Sequence, residues 1–417
     1  METKTAMPTW ITESEIDPSW LQDAIPMLGN ISKCSVQDIS NDTRKGDKVR
    51  NGATLLLQLT SSANANNSNV TTLVAKQVAT SSGKEMSLRL GLAREALFYN
   101  KLAPKVKINA EDSSTPCIPK IYFTSGDMRD GSKFVIMEDL SKNFIDSGIL
   151  FGPGNPNNWN RDLPARISES YTTSTCPNSF QVANETFLAI ANVHATFWND
   201  KSLLKEEFSW LRGSCWISGK GEESWKASQG MLQSMWTRMT IEEADIDSRI
   251  QWDPLVKSIL KTAMEGISWE SQQNRLNKNS NFCLVHGDFW PGNIMISTTD
   301  SKELRLLDWE MVGLGSGPQD LGQYILSNME PSQRRNCEKE LIHNYYNKMT
   351  RLGVDFSWED CWSEYKIGGL ERWLWFLVYF CAQSGPLLKW AQFFHNQIKE
   401  FVHDHKIRPE DVTQPRP

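Results

Sequence analysis

Between Ile31 and Leu140 the apolar residues fall at alternate positions in short runs, the period of a strand with one buried face. "CSVQDI", "ATLLLQLT" and "TTLVAKQVA" read as three strands. They are parted by the polar turn "SNDTRKGDKVRNG" and the Ser/Asn-rich hairpin loop "SSANANNSNV". In "KEMSLRLGLAREALFYNKLA" the apolar spacing becomes helical, with Pro104 just past its end. "CIPKIYFTSGD" and "SKFVIMEDL" return to strand texture. Three strands, a helix and two strands predict a compact sheet lobe over residues 1–140.

The pattern then changes. Residues 141–180 are rich in Gly, Pro, Asn and Ser, including "GPGNPNNWN", and read as a long functional loop. "FQVANETFLAIANVHATFWND" is an amphipathic helix, and the Trp-rich stretch 201–280 reads as helical. Short strands follow in "FCLVHGD", "NIMIS" and "ELRLLDWE", and the tail from Pro331 is helical again. Residues 141–417 therefore predict a larger, mainly helical lobe with a small β element. A chain of 417 residues also exceeds one ordinary core, which favours two lobes.

Composition narrows the partners. The formal net charge of −6 argues against nucleic acid, whose phosphates are held by Lys and Arg excess. The eight cysteines contain no C-x-x-C pair, so they predict neither a zinc knuckle nor a redox dithiol. The N-terminal stretch has no basic segment leading into an apolar one, so a cytoplasmic protein is expected. The most apolar run, "WLWFLVYFCA", is about half of the roughly 20 residues of a membrane span and predicts a buried helix instead. Oligomeric state leaves no mark in the pattern.

The chemistry concentrates in "CLVHGDFWPGNIM", where polar residues interrupt an otherwise apolar segment. Asp288 and Asn293 are five apart across a turn with Pro291 and Gly292, and Asp308 follows fifteen residues after Asn293. A strand–turn–strand hairpin would bring Asn293 and Asp308 to one end. A carboxylate and an amide oxygen suit Mg²⁺, which keeps waters and takes phosphates as further ligands. Asp288 then lies near the metal without being a ligand, placed to accept a proton from a hydroxyl. Phosphate also calls for a cation. Lys76 lies among apolar neighbours in a strand, where a lysine needs a charged partner. Glu95 on the following helix is the natural partner, with Glu85 as the alternative.

A strand Lys, a helix Glu, then H-x-D-x4-N and D is the order of the protein-kinase fold. "VHGDFWPGNIM…LLDWE…GSGPQDLGQYI" resembles the aminoglycoside phosphotransferase and choline kinase superfamily. "FLAIANVHATFWND" and "LVAKQ" are most similar to its ecdysteroid-kinase-like members. The resemblance implies an α+β, protein-kinase-like two-lobed fold, with a small N-terminal antiparallel-sheet lobe and a larger, mainly helical C-terminal lobe. It implies Asp288 as catalytic base, Asn293 and Asp308 as metal ligands, and Lys76 on the ATP phosphates with Glu95 as its partner. It implies His286 and Asp320 as structural supports of the catalytic loop. It implies Glu138 to Leu140 as the hinge that meets adenine. The turn between the first two strands departs from the pattern. It has only Gly46 and Gly52, without a G-x-G-x-x-G loop.

Only eleven residues separate Asp308 from Asp320, too few for the activation segment of a protein kinase. The expected function is therefore transfer of the γ-phosphate of Mg-ATP to a hydroxyl of a small metabolite. A catalytically inactive ligand- or partner-binding protein on the same fold is the rival, and a protein kinase the weaker one. Trp290 is balanced between lining the acceptor pocket and packing under its own loop. His194 reads as a satisfied core histidine, with reach to the acceptor as the alternative.

Overall fold

The structure is a computed structural model describing residues 17–28, 31–39, 53–61, 70–78, 81–107, 117–172, 175–242, 246–278 and 281–417. The chain divides into two compact units. The first contains the described residues of 1–106, 116–145 and 305–311. It is built on an antiparallel sheet of β1 (Ile31–Asp38), β2 (Ala53–Ser61), β3 (Val70–Gln77), β4 (Ile121–Asp127) and β5 (Ser132–Glu138), in the order β1-β2-β3-β5-β4. Strand alternation sends Leu55, Leu57, Leu59, Leu73, Ala75, Phe134 and Ile136 to one face. A helix that the sequence pattern did not announce, α1 (Pro18–Ala24), adds Leu21 to that core, and Ile25 just past its end joins it. Its start is capped by the Asp17 side chain.

The opposite face carries Lys76, which pairs in register with Val135. Facing it is not the single helix that the apolar spacing suggests. The chain forms α2 (Ser81–Leu90) and then α3 (Arg94–Lys101), broken at Gly91, whose φ is +71°. Apolar spacing survives such a break, because the left-handed residue turns the axis without removing any side chain from the core. The predicted turn holding Gly46 and Gly52, at residues 40–52, and most of the Ser/Asn-rich loop, at 62–69, lie outside the described residues.

The second unit contains the described residues of 107–115, 146–304 and 312–417 and is mainly helical. The Gly/Asn-rich stretch expected as a long loop holds turns at Ser147–Phe151 and Pro156–Asn158 and a helix, Leu163–Ser170. The Asn158 amide donates to the Gly148 and Gly152 carbonyls, both at 2.9 Å, so turn chemistry accounts for that composition. The helix Ser179–Thr196 starts at a capping box between Asn178 and Gln181. The strand Cys283–Val285 pairs antiparallel with Gly313–Gly315. The helix Gly317–Asn328 is buried at every residue and crosses Gly369–Cys381 where two glycines meet. A Cβ on Gly369 would lie 2.5 Å from Gly322 Cα, so only glycine permits this approach. "WLWFLVYFCA" falls within and just past Gly369–Cys381. Among the described residues, no helix is long and apolar enough to cross a membrane.

Candidate active site

In the first unit four charged side chains from three parts of the chain meet at Glu95. This glutamate is in the first turn of α3 and is fully buried. Its Oε1 accepts from Lys76 Nζ at 2.8 Å and its Oε2 from Lys133 Nζ at 2.9 Å. Lys76 Nζ also lies 3.2 Å from Asp308 Oδ1, and Lys133 contacts Glu310. Burial pushes the Lys76 ammonium down, but the fields of Asp308 and Glu95 outweigh it and hold its pKa well above the usual lysine range. Burial likewise pushes Glu95 up, and Lys133 and Lys76 reverse that and hold it ionised. Burial raises Glu310 to about 7, with the lysine fields opposing it.

The placement of Asp308 has a local cause. Trp309 is fully buried, stacks on Phe98 of α3 with ring centroids 4.0 Å apart, and donates to the Leu306 carbonyl at 3.1 Å. The anchored Trp309 leaves Asp308 in the left-handed region, at φ +67°, an unusual conformation for a residue other than glycine. Its carboxylate reaches Lys76 from there. The side chain is 37% exposed, so it is open to an incoming ligand.

In the second unit the H-G-D segment is held from behind. Asp320, fully buried, accepts from the backbone N–H of His286 at 2.7 Å and of Gly287 at 3.2 Å. Gly287 has φ +77° and is the turn that presents Asp288. The Asn293 amide nitrogen donates to the Asp288 carbonyl at 2.9 Å and to its Oδ2 at 3.0 Å. That fixes the amide with its oxygen turned away from Asp288. His286 is fully buried, and its Nδ1 is 3.4 Å from the Asp288 N–H.

The remaining predicted positions are now placed. Glu138 ends β5, and its Oε1 accepts from the Lys120 N–H at 2.8 Å and from Arg305 Nε at 3.2 Å. Leu140 is buried, and its carbonyl accepts the Phe144 N–H at 3.0 Å. The Trp290 ring lies over Gly292 of its own turn, where a Cβ would meet it at 2.0 Å. His194 is fully buried; its Nδ1 bonds the Tyr345 hydroxyl at 2.9 Å and its Nε2 lies 3.4 Å from Asp320 Oδ2. Glu95, not Glu85, takes Lys76.

Three residues escaped the sequence reading. Lys133 lies in β5 at the same parity as Val135, so once β3 and β5 are in register it faces α3 beside Lys76. Glu310 and Arg372 gave weaker signals, one a carboxylate two after Asp308 and the other a lone arginine inside an apolar helix.

The donor chemistry fits Mg²⁺. Asp308 supplies a half-open carboxylate, and Asn293 supplies an amide oxygen that takes no hydrogen bond among the described residues. Each is a hard oxygen donor of the kind that Mg²⁺ takes.

Residues 188–354 match the model of the ecdysteroid kinase-like family. The matched segment includes His194, Asp288, Asn293, Asp308 and Asp320, and it excludes Lys76 and Glu95. Among solved structures, a choline kinase from Cryptosporidium parvum is similar over 94% of this chain and 97% of its own, with TM-score 0.51 and 12% identity. An ethanolamine kinase from Plasmodium vivax is similar over 90% of this chain and 82% of its own, with TM-score 0.41 and 11% identity. No curated protein matches the chain. At these identities the choline kinase likeness shows the fold: an α+β, kinase-like arrangement of a five-stranded antiparallel sheet with a mainly helical remainder.

Proposed function

We propose that the protein is a small-molecule kinase that transfers the γ-phosphate of ATP to a hydroxyl group. One observation carries the reading. Lys76 and Asp308 are 232 residues apart in sequence, yet Lys76 Nζ reaches both Asp308 and the buried Glu95 within 3.2 Å. A salt bridge kept only for stability is better replaced by apolar residues. A lysine held ionised beside a half-open carboxylate suits phosphate and its counter-ion.

On this reading Lys76, oriented by Glu95, neutralises the α- and β-phosphates. Asp308 and the Asn293 amide oxygen would be the donors for Mg²⁺, which would supply charge neutralisation to the phosphates. Glu138 to Leu140 meet adenine through backbone groups. Asp288 accepts the proton of the acceptor hydroxyl as its oxygen forms a bond to phosphorus and the bond to ADP breaks. Asn293 keeps that carboxylate aimed, while Asp320 and His286 hold the loop that carries it. Little covalent work falls to the side chains; positioning and charge neutralisation supply the rate. The acceptor is a small metabolite, since the short span from Asp308 to Asp320 leaves no platform for an extended peptide.

Asp288→Asn is the test. The change removes the base and keeps the shape, so acceptor-dependent turnover falls by at least 100-fold, the usual range for a lost general base, while ATP binding stays. Turnover by this variant at the wild-type rate would remove Asp288 from the role.

A further inference from the structure

Among the described residues, no carboxylate pairs with Arg372. It lies in the helix Gly369–Cys381 and is 1% exposed. Its hydrogen bonds go to two backbone carbonyls, from Nη2 to Gly287 at 2.8 Å and from Nη1 to Arg416 at 3.3 Å. Its Nε is buried with no hydrogen-bond partner among the described residues. The guanidinium lies over the Phe376 ring at 4.6 Å and the Trp375 ring at 6.0 Å. Burial pulls its pKa down to about 10, against the fields of Asp288 and Asp320. A methionine of similar length would fill this space without that burden, so stability alone is a poor reason for an arginine here.

What the arginine does reach is the residue before the proposed base. Gly287 donates its N–H to Asp320 and offers its carbonyl to Arg372. The peptide planes on both sides of Gly287 are therefore pinned, one by a carboxylate and one by a guanidinium. The second plane is the Gly287–Asp288 peptide, and its tilt sets the direction in which Asp288 leaves the backbone.

The arginine is itself braced. The segment Thr413–Arg416 runs against its helix and is buried from Gln414 on, with the Thr413 N–H on Glu371 Oε1 at 2.8 Å and Arg416 Nε on Glu371 Oε2 at 2.7 Å. Arg416 Nη1 also reaches Gln319, the neighbour of Asp320, at 3.1 Å. One C-terminal segment thus ties together the helices that carry both clamps on Gly287. A lysine could not replace the arginine fully, because only a planar fork serves two carbonyls in fixed directions.

We propose that Arg372, braced by the segment Thr413–Arg416, is a positioning residue for Asp288. The proposal rests on the kinase reading for its effect on turnover, and on the geometry alone for its effect on the loop. The test is Arg372→Met in the full chain, with Arg372→Lys beside it. Three quantities are measured: acceptor-dependent kcat and KM for ATP, thermal stability, and hydrogen exchange of the amides of 285–288. In Arg372→Met, kcat falls on the order of 100-fold, the scale of a misplaced catalytic group, while KM for ATP and stability hold. Exchange at 285–288 speeds up by at least tenfold. Arg372→Lys, which keeps one bond to Gly287, recovers part of both. Wild-type kcat in Arg372→Met, or unchanged exchange, overturns the proposal, and a fall in stability alone would mark Arg372 as structural. If the wild type turns over no acceptor, the kinase reading fails by itself and the exchange arm still decides the clamp. Should Arg372→Met not fold, Arg372→Lys gives the same readouts.

Discussion

Glu95 serves two lysines with one carboxylate, and this sharing decides what Lys76 can do. With Oε2 taken by Lys133, Glu95 cannot rotate away, and Oε1 stays on Lys76. Lys133→Met therefore has two effects. It leaves Glu310 and half of Glu95 without compensation in a buried setting, which costs about 3–5 kcal/mol of stability by urea unfolding. It also loosens Lys76, so ATP affinity drops roughly tenfold by titration calorimetry, the equivalent of about 1.4 kcal/mol. Unchanged affinity would mean that Lys133 is structural only. At this scale the sequence was readable where a motif or a local rule spoke. The Lys76–Glu95 pair came from the cost of a lysine among apolar neighbours, and the spacing of Asp288, Asn293 and Asp308 proposes their roles. Lys133 and Arg372 were not legible, because their roles depend on strand register and on a helix crossing. The left-handed backbone of Asp308 left no trace either, since it follows from Trp309 stacking on Phe98.

Elements were legible by period and less so by boundary. β2 and β3 follow the alternation closely, because each buries one face, whereas β5 is buried at successive residues from Lys133 to Met137. The break at Gly91 and the helix α1 were missed for opposite reasons. The first preserves an apolar stripe across a turn, and the second is too short to show one. The crossing of Gly322 and Gly369 was equally silent, although it brings Arg372 to the loop. The helix Leu387–Asp404 also offers a pH prediction. Burial pushes Asp404 up, but hydrogen bonds from Arg335 and Arg334 outweigh it and hold its carboxyl below the usual aspartate range. A depressed carboxylate stabilises the fold above its unfolded pKa, and that contribution is lost as pH falls through the folded value. Asp404→Asn should therefore lie below the wild type at pH 7, by on the order of 1 kcal/mol for a partly exposed group. Thermal melts should show the gap closing as pH drops below about 3.8. A gap that persists at pH 2 would point to packing instead of charge.

For the whole molecule, the α+β architecture was within reach of the sequence, because strand period, helix period and the order of the motif residues all agree. The acceptor was not, since side chains that contact a substrate need no periodicity and carry no fixed spacing. The kinase reading thus stands on charge placement in each unit, and its most direct test joins binding to turnover. That measurement is ADP release from Mg-ATP over amino alcohols, aminoglycosides, sugars and sterols, with ATP binding followed in parallel and Asp288→Asn beside the wild type. The account predicts that the wild type binds ATP and releases ADP with one acceptor class, and that Asp288→Asn binds ATP and releases none. A wild-type protein that binds no ATP in the presence of Mg²⁺ would contradict the roles given to Lys76, Asn293 and Asp308.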